Sequence, residues 1–552
     1  MKYLQKLVVG CLILAPLNLL AQNPFGINEK DTNQTRDIYG YDSRREAKLY
    51  DYDGYTSAVM TSMKASEFNG SSAYGWTLEE YLKKSFKVDK VDATVRFRNQ
   101  PAMGGCTGFL IAPDIMVTAG HCISSDQHEI TDGKVVFHKS YFNKYGDFTY
   151  NQKKWVFDYT NDISMTKKSL KSGEEYYVAT IPTSNQYTVK RVLKSVLDNK
   201  RNLDYAVIQL DRPTSRDPFR FRTGAKIAKG DNLAMIGSPS GLPLKLSDGA
   251  KVTINSGDTW FGTNLDAFGG NSGGPVYNKA GQNLIEGILV RGRIDKGLKG
   301  FYVDESCGCV KEVKYENNES ESILDDFGIP VSQMSTEVQR ITSIPLSVKA
   351  LAVYNNFKYA IDNNNKDRFD KWTIYTWAFT NDTTGWFRDA VSGEPIGVMA
   401  IKKGRTEMFK SLVDLGMHVD LDLGGGKTML YHAIEQRNLA AVKHILKQGY
   451  DLELKDEYNN TAIHWALKYG TTEIINEVIR NGANVNAKNR WGETPLHVAV
   501  AKWNMEAVRL LIQNGADPST PDGSGKTPRK KAKGIKFKDA ARYLKKAEKG
   551  KL

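Results

Sequence analysis

Long apolar runs are what this chain most lacks. Beyond the first twenty residues no segment approaches the ~18 unbroken apolar residues that a membrane-spanning helix requires, which excludes a helical membrane span there. Cysteine is scarce, at five in 552 residues, and one of these sits in the N-terminal apolar run. The four that remain are an even number, suited to oxidised pairs in an exported chain. Extremes of composition are missing too: 40% apolar and 25% charged residues exclude a disordered chain and describe ordinary globular protein. What the chain has is length, more than one hydrophobic core organises, so two or three domains are expected.

Lys2 and Lys6 precede an apolar run from Leu7 to Leu20, and Ala21-Gln22 then opens a polar stretch. This is the pattern of a secretory signal peptide cleaved after Ala21, and it predicts a secreted or periplasmic protein. Val8-Val9-Gly10-Cys11 has the form of a lipid-attachment signal, but the apolar run continues well past Cys11. The net charge of +13 falls to +11 without Lys2 and Lys6. From Lys526 onward twelve Lys and Arg stand against Asp539 and Glu548, so nearly all of the excess lies in the tail.

Residues 106 to 122 read Cys-Thr-Gly-Phe-Leu-Ile-Ala-Pro-Asp-Ile-Met-Val-Thr-Ala-Gly-His-Cys. Two short apolar runs around a Pro-Asp turn predict a β-hairpin that ends at a histidine. A disulfide from Cys106 to Cys122 would tie the hairpin together and fix His121, as a general base must be fixed. Cys307 and Cys309 are a less certain pair, because a three-residue loop strains a disulfide. A zinc site there would need two further ligands that the surrounding sequence does not supply. No metal and no cofactor are expected.

The run Thr118-Ala119-Gly120-His121-Cys122 closely resembles the histidine motif of trypsin-like serine peptidases. Leu203-Asp204-Tyr205-Ala206-Val207-Ile208-Gln209-Leu210 is similar to that family's aspartate strand, in which a buried carboxylate accepts the histidine Nδ1 proton and fixes the tautomer. Asp198 and Asp211 lie close enough to compete, but only Asp204 stands at the head of the apolar strand. Asp266-Ala267-Phe268-Gly269-Gly270-Asn271-Ser272-Gly273-Gly274-Pro275 has glycines on both sides of a serine, which lets a tight turn expose the hydroxyl and point amide N–H groups at one spot. A phosphate-binding loop would need a helix-opening Lys-Ser/Thr after it, and none follows. The resemblance implies Ser272 as nucleophile and the N–H groups of Gly270 and Ser272 as the oxyanion hole. The order His, Asp, Ser is that of the chymotrypsin fold.

The loop Met235 to Lys245 also resembles bacterial trypsin-like and glutamyl-endopeptidase-like enzymes, and the likeness spans roughly residues 38 to 340. It implies two packed six-stranded β-barrels with the site between them. By the same resemblance Asp266 forms the floor of the pocket for the residue before the cleaved bond, with Gly292 leaving that pocket open, which implies cleavage after Arg or Lys. The competing preference is glutamate, but enzymes of that kind use a histidine and a hydroxyl where this chain has Leu289 and Ala267. Asn271 stands where animal trypsins have an aspartate that pairs with a newly cut N-terminus, so activation by that ion pair is not expected, although residues 22 to 37 can still be trimmed, for example after Arg36. Val290 replaces the serine that backs the aspartate in those enzymes.

The last third repeats itself. Thr428, Thr461, Thr494 and Thr527 are each 33 apart, and so are Gly416, Gly449, Gly482 and Gly515. Thr-Pro-Leu-His-Val-Ala at 494 to 499 and Gly-Ala-Asn-Val-Asn-Ala at 482 to 487 closely resemble the ankyrin consensus. His432, His464 and His497 share the step, and the resemblance implies a structural rather than a metal-binding role for them. Shifting by 33 aligns Ala541 with Val508 and Leu544 with Leu511, which predicts a last helix over 538–547 whose basic residues face solvent as a terminal cap. Nucleic acid is therefore not the expected partner, although the basic patch keeps that reading open.

The expected whole is a multidomain chain: an all-β, chymotrypsin-like double β-barrel followed by an all-α ankyrin-repeat solenoid. Its boundaries are a signal peptide over 1–21, a propeptide or linker over 22–37, a peptidase domain over 38–345, a helical connector over 346–394, and repeats with a basic cap over 395–552. The expected activity is a serine endopeptidase acting on protein or peptide substrates, with a protein partner held by the repeats. The competing class is a binding protein whose peptidase domain is incidental.

Overall fold

A computed structural model describes residues 44–47, 55–123, 129–131, 134–135, 153–160, 163–169, 175–198, 201–265, 267–279, 284–291, 301–312, 336–375 and 393–551. The signal-peptide and propeptide readings, over 1–37, lie outside these.

The two apolar runs around Pro113-Asp114 form the antiparallel strands Cys106–Ala112 and Ile115–Thr118, and every residue of both is buried. Asp114 fixes the turn: its carbonyl accepts the Leu210 N–H at 2.8 Å and its carboxylate accepts Gln209 Nε2 at 2.7 Å. These strands lie inside a nine-stranded sheet, between Val59–Lys64 on one side and Leu203–Leu210 on the other. Leu203–Leu210 pairs in turn with the long strand Val189–Asp198. Phe109, Leu110, Val117, Val207 and Ile208 are fully buried in this core. Each such side chain stabilises the fold by roughly 1.5–3 kcal/mol relative to exposure.

The second sheet runs Lys245–Ile254, Asn232–Gly237, Pro275–Asn278, Leu284–Arg291, Thr336–Arg340 and Trp260–Thr263, and the last strand pairs back with the first. It is a closed six-stranded barrel, filled by Leu233, Val252, Phe261, Val276 and Val338. The family resemblance implies two closed barrels. Only this one closes among the described residues; the first remains an open, curved sheet, a half-barrel whose end strands do not pair.

Two smaller layers lie on this frame: a four-stranded sheet containing Ser72–Gly75 and Glu175–Thr180, and a three-stranded one containing Phe301–Asp304 and Cys309–Glu312. Helix Leu78–Phe86 stands between them, begun by Thr77, whose hydroxyl accepts the Glu80 N–H at 3.2 Å.

From Leu346 the chain is helical. Helix Leu346–Asp362 lies against the first sheet, where Asn356 Nδ2 donates to the Ile111 carbonyl at 2.9 Å and Asn355 Nδ2 to Asp114 Oδ1 at 2.8 Å. Arg368 of the next helix donates to the carbonyls of Ser215 and Arg216, and Tyr375 exchanges hydrogen bonds with the backbone of Phe221. This segment is packed on the strand-rich region.

Helix pairs then follow at the step of 33. The turn inside four of the pairs places one residue at positive φ just before the second helix, at Gly404, Arg437, Trp503 and Lys536, while Gly470 at the same step is extended, at φ −78°. Asn364 does the same inside the connector, and Asn365 caps the following helix as Asn438 and Asn504 do in the repeats. The connector thus uses the turn of the repeats.

Two of the three recurrent histidines join one repeat to the next, whereas His432 Nδ1 lies 3.6 Å from Glu435 of its own helix. His497 Nδ1 accepts the Thr494 N–H at 3.1 Å, which leaves Nε2 to donate to the Lys526 carbonyl at 2.8 Å. His464 bonds Thr461 and the Glu493 carbonyl in the same way. Burial holds both rings below the ordinary histidine pKa, in the neutral form this pattern needs. The last helix is Lys538–Ala547, as the alignment predicts, with Ala540 and Leu544 fully buried and Ala541 only partly so. No helix among the described residues is long and apolar enough to cross a membrane.

Candidate active site

Cys106 and Cys122 are joined, so the hairpin is closed on itself one residue beyond His121. Cys307 and Cys309 are joined as well, at a turn between two short strands. His121 stands in a single helical turn, Gly120–Cys122, that follows strand Ile115–Thr118. Asp204, 2% exposed, is the second residue of strand Leu203–Leu210. Its Oδ2 meets His121 Nδ1 at 2.8 Å and its Oδ1 accepts the His121 N–H at 3.1 Å. The carboxylate therefore fixes both the ring and the backbone of the histidine. Gly120 makes the approach feasible, since a Cβ there would fall 2.3 Å from the Val196 carbonyl and 3.1 Å from Asp204 Oδ1. The competitors point elsewhere: Asp198 pairs with Arg201 and Asp211 with Arg212, both at the surface.

The serine turn is pinned to the same hairpin. The Ser272 carbonyl accepts the Thr107 N–H at 2.8 Å, and Thr107 Oγ1 donates to the Gly270 carbonyl at 2.8 Å. Gly273, at φ +89°, lies so close that a Cβ would sit 2.0 Å from the Thr107 carbonyl. Gly270, at φ +97°, would place one 2.3 Å from the Ser238 carbonyl. No side chain fits at either position.

Two carbonyls of this turn face inward: that of Gly269 accepts the Ser240 N–H, and that of Asn271 accepts the Gly274 N–H at 2.8 Å. In a trans peptide the N–H lies opposite its carbonyl, so the N–H groups of Gly270 and Ser272 are turned outward. Neither donates to any acceptor among the described residues. Such a pair suits a developing oxyanion. Among the described contacts no hydrogen bond joins His121 to Ser272, a half-buried residue.

Asn271 is buried, and its Oδ1 finds no hydrogen-bond partner among the described residues. A carboxylate at that position would carry a buried charge in need of a cation, which the amide does not. Asp266 and Gly292, expected to form the specificity pocket, lie outside the described residues. Val290 is buried in the core, and the residue that reaches the aspartate is instead Gln339: its Oε1 accepts the Asp204 N–H at 3.0 Å, while its Nε2 donates to Ser343 Oγ at 3.0 Å. Nothing in the sequence around Gln339 announces this, because the partner lies on a strand 135 residues away.

A buried ionic cluster stands behind the turn. Arg44 pairs with Glu312, and its guanidinium lies 4.0 Å over the ring of Phe268, whose carbonyl accepts the Asn271 N–H. Beside it Lys245 Nζ meets Glu46 at 2.8 Å and Gln100 at 2.6 Å, and burial pulls this ammonium down to about 8. No local sequence pattern marks either pair.

A family model described as "Trypsin-like peptidase domain" matches residues 106–285, the stretch that holds the hairpin, the aspartate strand and the serine turn. The fold and the matched stretch together define a trypsin-like peptidase domain. A second model, "Ankyrin repeats", matches residues 348–456 and 436–522, starting inside the segment read from sequence as a connector. The chain thus carries a trypsin-like peptidase domain followed by ankyrin repeats, each matching about a third of its length. Among curated proteins it is similar to the "Extracellular metalloprotease" of Bacillus subtilis (strain 168), with 25% identity over 205 residues, 35% of this chain. The match spans 54% of that relative, about half its length.

Proposed function

We propose that the protein is an exported serine endopeptidase, with His121 as general base, Asp204 as its orienting carboxylate and Ser272 as nucleophile. The observation that carries this reading is the two-point contact of Asp204 with His121, at a hairpin to which the serine turn is pinned. In this mechanism His121 takes the Ser272 proton as Oγ attacks the scissile carbonyl, and the Gly270 and Ser272 N–H groups hold the oxyanion. The imidazolium, stabilised by Asp204, then protonates the leaving amine, and water releases the acyl group by the reverse sequence. Asp266 and Gly292 would direct cleavage to bonds after Arg or Lys, and the repeats would hold a protein substrate or partner. Two disulfides suit an oxidising compartment.

The relative's name raises a metal. Besides Asp204, which already holds Nδ1, the donors grouped with His121 are Cys106 and Cys122, whose sulfurs are bound to each other, and Asp92 near Cys307 and Cys309 stands in the same position. Disulfide sulfurs are not thiolate ligands, so these sets do not fit a metal ion, and the mechanism is routed through the triad alone.

A serine-directed phosphonate should label the mature protein, and Ser272→Ala should remove the label together with peptide cleavage. Equal labelling of the variant would refute Ser272 as nucleophile. Paired peptides that differ only in Arg or Glu before the cleaved bond test specificity, and turnover after Glu alone would sink the role of Asp266.

A further inference from the structure

Two cavities adjoin the candidate site on the side of the histidine hairpin. The first, of about 370 Å³, is walled by Gly269 and Gly270 of the serine turn and by Gly104 and Gly105. It shares Tyr81, Ala102, Gly104 and Gly105 with a second, of about 1010 Å³, which continues past Trp76 and Lys84 to Lys64 and Lys153. They form one groove that begins at the oxyanion turn.

Its floor is rigidly held. The Met103 and Gly104 N–H groups both donate to the Gly241 carbonyl at 2.9 Å, and the Gly105 N–H donates to the Ser62 carbonyl at 2.8 Å. The buried Tyr159 hydroxyl ties Pro101 to the same loop by donating to its carbonyl at 2.8 Å. A Cβ at Gly104 would fall 2.5 Å from Thr61 Cγ2, so glycine keeps this floor low.

The direction of a bound peptide follows from where Ser272 stands. Its carbonyl is held by Thr107, while the next N–H, of Gly273, donates to the Leu289 carbonyl at 2.7 Å. In the proposed mechanism His121 gives its proton to the leaving amine, so the leaving half lies on the side of His121, where Cys122 is joined to Cys106. The leaving half then departs over Gly104 and Gly105, the segment that runs into Cys106. This step rests on the proposed function.

The groove is basic. Lys84 Nζ sits 3.3 Å over the Trp76 ring, Lys153 Nζ donates to the Cys122 carbonyl at 2.6 Å, and Lys64 lies at the rim, 4.0 Å from Glu67. Among the described lining residues Glu67 is the one carboxylate, and burial raises its pKa. Burial also pulls the Lys153 pKa down and its ammonium is engaged by Cys122, which makes Lys64 and Lys84 the cations that the groove presents. We propose that this groove receives the substrate residues that follow the cleaved bond and selects acidic side chains within the first four of them.

The test uses the full chain and two kinds of substrate. Chromogenic Arg and Glu amides carry nothing beyond the bond; quenched peptides carry either Asp/Glu or Lys at the second to fourth positions after it. The acidic peptides should be cleaved about tenfold faster in kcat/KM than the basic ones, in line with rim charges that each contribute a few-fold. Lys64→Glu together with Lys84→Glu should reverse that order and leave the chromogenic amides unchanged. Equal rates on both peptides, or the same loss on the amides, overturn the proposal. Labelled peptides of the same sequences, titrated into Ser272→Ala protein with and without the two lysine substitutions, read the groove without turnover. Acidic peptides that bind through these lysines in a chain that cleaves nothing would refute the peptidase and keep the groove. Cleavage indifferent to charge would do the reverse.

Discussion

The peptidase region and the repeats are held together over different distances along the chain. His121 meets Asp204 across 83 residues and Thr107 holds Gly270 across 163. In the repeats His464 and His497 each reach 29 residues, to the adjoining repeat and no further. A site of the first kind exists only when two sheets and the turns between them have all folded. A stack of the second kind is close to a sum of units and their neighbouring contacts. Damage in one region should therefore abolish a geometry, and damage in the other should remove an increment.

The sharpest way to break this contrast is Asp204→Asn. Turnover should fall about 10⁴-fold through the wrong histidine tautomer while both regions melt as before, as steady-state kinetics with calorimetry would show. A loss of repeat stability would contradict it. Next in size is Arg44→Met, which removes the cation from the buried Glu312; a cost of about 3–5 kcal/mol, confined to the peptidase transition in denaturant, is expected. Leu511→Ala, in a fully buried position of a repeat, should cost roughly 2–5 kcal/mol in the helical transition and leave kcat/KM on a small amide intact.

The smallest effect is one of pH. His464 and His497 are held below 6.5 by burial, so below pH 6.5 the unfolded chain binds protons that the folded repeats do not. Stability of the helical region should decline as pH falls through that window. Replacing both rings by Gln should flatten the decline in thermal melts followed by circular dichroism, and an unchanged slope would show that other groups cause it.

The same contrast explains what could be read from sequence. The hairpin at 106–122, the strand at 203–210 and the helix at 538–547 are each announced by residues a few positions apart, and the structure forms all three. Gln339 against Asp204, and Arg44 against Glu312, join residues 135 and 268 positions apart, and no local pattern distinguishes them from any other glutamine or arginine. Whether the strands of the first sheet close, which they do not among the described residues, is illegible for a related reason, since closure is a property of strand edges that no single strand encodes. The connector hides its likeness to a repeat because its turn at Asn364 precedes the next, at Gly404, by more than the regular 33 residues. Asp266 and Gly292 remain expectations drawn from resemblance.

The helix Leu346–Asp362 has a mechanical meaning. It grips strand Cys106–Ala112 through Asn356, and its Ile361 carbonyl accepts Arg405 Nε from the following helix pair at 3.0 Å. The coupling between the two regions is thus a splint rather than a string. A flexible tether would let captured cargo sample a sphere around the site, with a local concentration set by linker length. If the repeats hold a substrate as proposed, a splinted solenoid would offer it at a set bearing and reach, so that only bonds at the right span from the docking point would come within range of Ser272.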